Sequence, residues 1–281
     1  MLPMKTASPP SVDRAFSILE EVARSNRGLR LREIATKLGV PRSSTHCLLV
    51  ALERRGYLQR NESSGRYRFG PKVFTLANAG LKGMALRETS YSILAALMRQ
   101  TGLTVHMAIM DSDHAVLIEQ IVPPPELAPM TWLGERLELH CTALGKALAA
   151  FEPEEQWSRF VRERALPRHN ENTICSRKKV LEELTATRQR GYAFDDEEVD
   201  LGVRCLGVPV FGSAGEAIAA ISVSGACAEV HAGNAAALAK LLTAAATQIR
   251  KALGGNGLNG TAGADAGPMK KVGQALSPAN S

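Results

Sequence analysis

Arg42, Ser43, Ser44, Thr45 and His46 put a guanidinium, three hydroxyls and an imidazole in consecutive positions behind Pro41. Proline suits the first turn of a helix. On a helix opening there, Arg42, Ser43 and His46 share one face by their three- and four-residue spacings, while Leu48 and Leu52 share the opposite one. Arg42 can donate to a guanine edge or a phosphate, and Ser43, Ser44 and Thr45 can reach phosphate oxygens or base edges. The alternative for any one of them is a solvated helix face. Far along the chain, Ser222 and Ser224 flank Val223. On a strand both hydroxyls point to one side, where with backbone N–H groups they can hold a small carboxylate.

Cys47, Cys141, Cys175, Cys205 and Cys227 form no CxxC pair and have no histidine at zinc-ligand spacing. No metal or cofactor is expected, and each thiol reads first as a small buried apolar group. A Cys-His hydrolase or thiol redox enzyme would have to use Cys141 beside His140, or Cys205 near Asp195. Sequence neighbours rarely face each other, nothing supplies an oxyanion loop, and such an enzyme has no need of residues 11–70.

These groups need positioning elements. Ser11 reads as the N-cap of a first helix carrying Val12, Phe16, Leu19 and Val22. A second helix carries Leu31, Ile34, Ala35 and Leu38 and stops at Gly39, so the helix after Pro41 completes a helix-turn-helix. Tyr57 to Arg60 and Arg66 to Phe69 alternate around a turn from Asn61 to Gly65, which predicts a hairpin wing flanked by Arg54, Arg55, Arg60, Arg66 and Arg68. Linker helices are expected over 71–101. Beyond Gly102 come strands over 104–110 and 115–122, a Pro-rich loop over 123–129 and a strand near 130–133. Helices follow over 142–150, after Pro153 and over 177–190, then strands over 203–211 and 217–224 and a helix over 234–253. Strand and helix do not alternate regularly, so the class is α+β with an antiparallel sheet rather than a doubly wound one. From 254 to 281, Gly, Asn, Ala, Ser and Pro predict a disordered tail.

Charge divides in the same place. Residues 1–80 hold 14 basic and 6 acidic side chains, net +8, and the remainder 20 and 22, net −2. One module therefore suits a polyanion and the other does not. With 281 residues, 45% of them hydrophobic, about two domains are expected. No apolar run reaches membrane-span length and no signal peptide is visible, so the expectation is a cytoplasmic protein with no membrane partner.

The motifs LREIATKLGVPRSSTHCLLVALERRGYL and GRYRFGPKVFTLA, followed by LHCTALGKALAA, GYAFDDEEVDLGVRCLGVPVF and AAISVSG, resemble the IclR family of bacterial transcription regulators over about Ser11 to Leu253. Gly191, Asp195, Glu198, Cys205, Leu206 and Gly207 stand at the family's spacing. Three positions depart from it: Gly212 replaces an Asp or Asn, Cys47 replaces an Arg, and Arg32 stands where a Ser or Thr caps the second helix. The resemblance implies a winged helix-turn-helix DNA-binding domain over 11–70, linker helices over 71–101 and a GAF-like effector-binding domain over 102–253. It implies a homodimer or homotetramer that binds double-stranded operator DNA and switches rather than turns over a substrate.

By the same resemblance, Arg42, Ser43, Ser44, Thr45 and His46, with Arg66 and Arg68 of the wing, contact DNA. Arg66 is expected to be a phosphate anchor whose loss flattens the salt dependence of binding. Ala143, Leu144, Asp195, Cys205, Ser222 and Ser224 line the effector pocket. The effector is expected to be a small keto, sugar or aromatic acid, with Leu144, where some relatives have a smaller residue, favouring an aromatic one. Asp195 would accept from an effector hydroxyl; the alternative is that Asp195, Asp196, Glu197 and Glu198 form a solvated acidic surface.

Overall fold

The computed structural model describes residues 9–124 and 131–255. They divide into two compact units, Met1–Gly83 and Met84–Ser281. Among the described residues no helix is long and apolar enough to cross a membrane. The first and last segments, including the expected tail from 256 onward, and loop residues 125–130 lie outside this description.

In the first unit, the N-cap of helix α1 (Pro10–Ala23) is Pro9, not Ser11, because a proline at the first helical position presets the turn without any side-chain cap. Helix α2 (Leu31–Leu38) ends on left-handed Gly39, and α3 (Arg42–Arg54) starts directly behind Pro41. The cap of α2 is Arg30 rather than the region of Arg32; its backbone N–H donates to the Glu33 carboxylate at 2.7 Å, so the glutamate half of a capping box serves without a serine. Strands β2 (Leu58–Arg60) and β3 (Arg66–Phe69) form the expected hairpin. A two-residue strand, β1 (Leu29–Arg30), joins its other edge, with Leu29 opposite Tyr67 and Arg30 opposite Arg66. Ile18, Val22, Ile34, Leu49, Leu58 and Tyr67 make the core. Helix α4 (Pro71–Lys82) buries no side chain within this unit.

The second unit opens with α5 (Ala85–Thr101), which stops at left-handed Gly102. Six antiparallel strands follow: β4 (Thr104–Asp111), β5 (His114–Ile121), β6 (Arg136–Glu138), β7 (Ala193–Asp196), β8 (Val203–Phe211) and β9 (Ala217–Ala226). Their order across the sheet is β6-β5-β4-β9-β8-β7. Helix α5 and the long α9 (Ala232–Gly255) cover one face through Leu94, Val105, Leu206, Ile221 and Leu242. Helices α6 (Ala143–Ala149), α7 (Glu154–Glu163) and α8 (Arg177–Arg190) cover the other through Leu117, Leu148, Val161, Leu184 and Ala220. Two details differ from expectation. No strand occupies 131–133, where a turn closed by Glu135 N–H on the Trp132 carbonyl leads into β6; Met130 lies outside the described residues. Asp195 and Asp196 belong to β7, a strand hidden in sequence by its acidic composition.

Candidate functional site

The outer face of α3 carries the first site. Arg42, Ser43, His46 and Cys47 are exposed and Ser44 is half-buried. Thr45 is a correction: it is fully buried, on the inward face with Leu49 and Leu52 at helical spacing, and its hydroxyl donates to the Pro41 carbonyl at 3.1 Å. That hydroxyl cannot meet a nucleic acid. Arg66 is a second correction. Because β1 pairs with β3, its guanidinium lies beside α2, where it donates to the Gly28 carbonyl at 2.7 Å and to Glu33 at 3.1 Å. The Arg30 N–H first, and Arg66 with it, hold the Glu33 carboxyl below its ordinary value. Arg66 fastens the wing to the helices, its half-buried charge paired with Glu33. Arg68 is exposed, with one long contact from Nε to the Arg27 carbonyl at 3.3 Å, and Arg60 is exposed at the end of β2.

The second site is a cavity of about 500 Å3 on the α6 side of the six-stranded sheet. Strand alternation builds its floor. Ser222 and Ser224 do share a face, while Val223 enters the opposite core. Cross-strand register aligns Asp195, Cys205, Ser224 and Thr104 in one row on four neighbouring strands. The adjacent row runs through Gly207, Ser222, His106 and Gln120. Polar side chains thus form a patch in the middle of a sheet whose other face is mostly apolar, with an ion pair between the buried Glu119 of β5 and Arg87 of α5. Ala143 and Leu144, both buried at the start of α6, supply the opposite wall. Thr142 caps that helix by accepting the Gly145 N–H at 3.0 Å. The helix can approach so closely because residue 207 is glycine: a Cβ there would stand 2.7 Å from the Ala143 carbonyl oxygen.

All six residues expected in the pocket, Ala143, Leu144, Asp195, Cys205, Ser222 and Ser224, line this one cavity. His106, Gln120 and Thr131 were not expected there. Gln120 Nε2 donates to the Thr131 hydroxyl at 2.8 Å, and His106 Nε2 lies 3.2 Å from both partners. Their signal was present in sequence, since Thr104 and His106 alternate with Val105 and Met107 just as Ser222 and Ser224 alternate with their neighbours.

The acidic run is no solvated surface. Asp195 and Glu198 are buried, whereas Asp196 is exposed and pairs with Arg204 at 2.6 Å. Asp195 Oδ1 accepts the Glu198 N–H at 2.8 Å, and its side chain lines the cavity. Glu198 in turn meets the ammonium of Lys146 from α6, and Lys146 also donates to the Phe194 carbonyl at 2.9 Å. Thr173 and Asn170 fasten the same turn from outside, Thr173 on the Glu198 carbonyl at 2.6 Å and Asn170 on those of Glu197 and Val199.

Burial sets the protonation of the site. It pushes the Asp195 carboxyl up to about 7, against the Glu198 N–H and Lys146, which favour the anion. It pulls His106 down to about 4, so the imidazole is neutral near pH 7. The thiols of Cys205 and Cys141 are pushed well up by burial, with the Asp195 charge adding to it. That is the reverse of what a thiolate nucleophile requires.

A helix-turn-helix with an exposed third helix and a wing, joined in one chain to an α+β unit with a polar cavity, defines a one-component regulator that reads DNA and senses a small molecule. Residues 11–62 match the IclR helix-turn-helix domain and residues 78–251 match the bacterial transcriptional regulator IclR C-terminal domain. The chain belongs to the IclR family. It is 33% identical to the transcriptional repressor IclR of Escherichia coli over 89% of this chain and 92% of that protein. It is 32% identical to the HTH-type transcriptional regulator XynR of Escherichia coli over 87% of this chain and 97% of that one. Among solved structures, the Thermotoga maritima IclR matches with a TM-score of 0.67 at 29% identity, covering 87% of this chain and 98% of the other. The protein is an IclR-family transcriptional regulator with a DNA-binding helix-turn-helix and a C-terminal effector domain.

Proposed function

We propose that the chain binds an operator through Arg42, Ser43, Ser44 and His46 of α3 and through Arg68 of the wing, and that a small organic acid in the 500 Å3 cavity switches that binding. Residues 11–70 do the DNA binding, 102–253 bind the effector, and the 71–101 helices connect them in a cytoplasmic homodimer or homotetramer without catalytic turnover. One observation carries the reading: the cavity gathers Asp195, Cys205, Ser222 and Ser224 on one wall and the first turn of α6 on the other. The hydroxyls suit carboxylate oxygens. The volume falls within the usual range of about 300–1,000 Å3 for small-molecule sites. Leu117, Leu137 and Leu144 add apolar wall that suits an aromatic ring. A solved protein of the same fold carries 4-hydroxybenzoate in its complex, at 19% identity to this chain.

Footprinting on the DNA upstream of the protein's own gene, with and without keto, sugar and aromatic acids, tests the reading. A footprint that one acid shifts or removes is expected. A footprint that no acid changes would sink the effector assignment, and no footprint at all would sink the operator assignment.

A further inference from the structure

The pocket proposed for an acid has the wrong charge to attract one. Glu135, Asp195, Asp200 and Glu229 line it, and no lysine or arginine does among the described residues. The intervening stretch PELAPM at 125–130 contains no cation either. Lys146, the one buried lysine or arginine among the described residues, is held by Glu198 and the Phe194 carbonyl, with Glu183 at 3.9 Å. Arg204 on β8 is drawn to the outer side by Asp196 and Glu197. A carboxylate placed against Cys205, Ser222 and Ser224 therefore lies beside the Asp195 carboxyl with no cation to separate them. Two like charges at such a distance do not both persist in a buried site.

We propose that a carboxylate effector enters this pocket together with one proton, shared between its own carboxyl group and that of Asp195. The deduction rests on the reading of this cavity as an acid-binding site and adds the form in which the acid is bound. No covalent bond changes; the proton comes from solvent and bridges two oxygens, one of Asp195 and one of the ligand. Asp195 then selects for acids by donating a hydrogen bond, while an ionised Asp195 repels them. The groups facing Asp195 are consistent with this. Glu198 and Asp200 from the turn disfavour its anion, and Lys146 from α6 favours it. Cys205 on β8 and Cys141 before α6 are thiols raised by burial and stay neutral, as does His106 across the cavity. Burial already brings the free Asp195 carboxyl to about 7, so the proton is available near neutrality at little expense.

The linkage has a definite sign. Below about pH 6 Asp195 is already protonated, and binding takes up almost no proton; above about pH 8 it takes up close to one, and affinity falls about tenfold per pH unit. The test is calorimetric titration of the full chain with pyruvate, gluconate and 4-hydroxybenzoate. Each is paired with its uncharged amide at about pH 6, 7 and 8 in buffers of different ionisation enthalpy. The expected result is an acid that binds with proton uptake rising toward one, and an Asp195→Asn variant that binds it with a flat pH profile. The buffer measurement on the unaltered protein stands even where that variant fails to fold. Acid binding that is independent of pH and of buffer overturns the shared proton and leaves the acid-sensor reading intact. Binding of the amides alone, or of no compound at about pH 6, overturns both.

Discussion

The ammonium of Lys146 meets the carboxylate of Glu198 inside the second unit, with side-chain exposures of 1% and 4%. Lys146 belongs to the helix that walls the cavity and Glu198 to the turn that holds Asp195, so one ion pair fixes both sides of the site relative to each other. Removing one partner strands the other charge in a dry environment, which typically costs about 3–5 kcal/mol. Lys146→Met should lower the unfolding free energy, read from denaturant titration, by that order, and Lys146→Met combined with Glu198→Leu should recover much of the loss. A double variant no more stable than Lys146→Met would show that the pair is not what the site depends on.

Gly207→Ala tests the close approach of α6. The added methyl carbon would lie 2.7 Å from the Ala143 oxygen, a contact with backbone that no side-chain rotation relieves. The strand should stay paired while α6 lifts. Effector affinity is expected to fall at least tenfold with a smaller loss of stability than Lys146→Met, measured by calorimetry and thermal unfolding on the same preparation.

Arg66 and Arg68 should separate cleanly on operator DNA. Arg66 is committed to Glu33 and the Gly28 carbonyl. Arg66→Ala should loosen the wing yet leave the slope of log affinity against log salt nearly unchanged, whereas Arg68→Ala should reduce it by about one unit. Arg42→Ala should also relax base preference, by about 1–3 kcal/mol at one operator position. Equal slope changes for Arg66→Ala and Arg68→Ala would contradict this division.

The pH dependence of stability carries a signature of Asp195. Its carboxyl rises from the ordinary 3.8 to about 7 on folding. Between those values the folded state binds more protons than the unfolded one, so stability declines as pH rises through the window and levels off above about 7. His106 acts in the other direction, losing stability as pH falls from 6.5 toward 4. Asp195→Asn should remove the first decline and make the variant more stable than the parent near pH 8. Chemical denaturation at several pH values reads this directly, and an unchanged decline would place it on another group.

Much of this was legible in the chain. Ile34 and Ala35, Gly39 and Pro41 mark the helix-turn-helix through spacing and turn chemistry alone, and alternation around Val223 marks the strand that carries both serines. Thr45 faces inward because positions 45, 49 and 52 lie on one helical face, a spacing that outweighs what its hydroxyl suggests next to Ser43 and Ser44. Arg66 was not readable, since its partner Glu33 becomes a neighbour only through β1, and two residues carry no period. Asp195 and Glu198 look like surface in a run of four acids. Glu198 is buried against a lysine 52 positions away, and Asp195 against the Glu198 N–H and its β8 neighbour Cys205, which no local pattern encodes.

The aligned rows beneath the cavity have a consequence for how such a sensor changes its ligand. Neighbouring strands stand about 4.8 Å apart, so an anchor moved from Cys205 to Ser224 or Thr104 shifts by one fixed step each time. Length along the floor is therefore graduated in whole strands. Depth, set by Leu144 on a separate helix, can be adjusted continuously, one methylene at a time. Specificity in this protein can drift in one direction and must jump in the other.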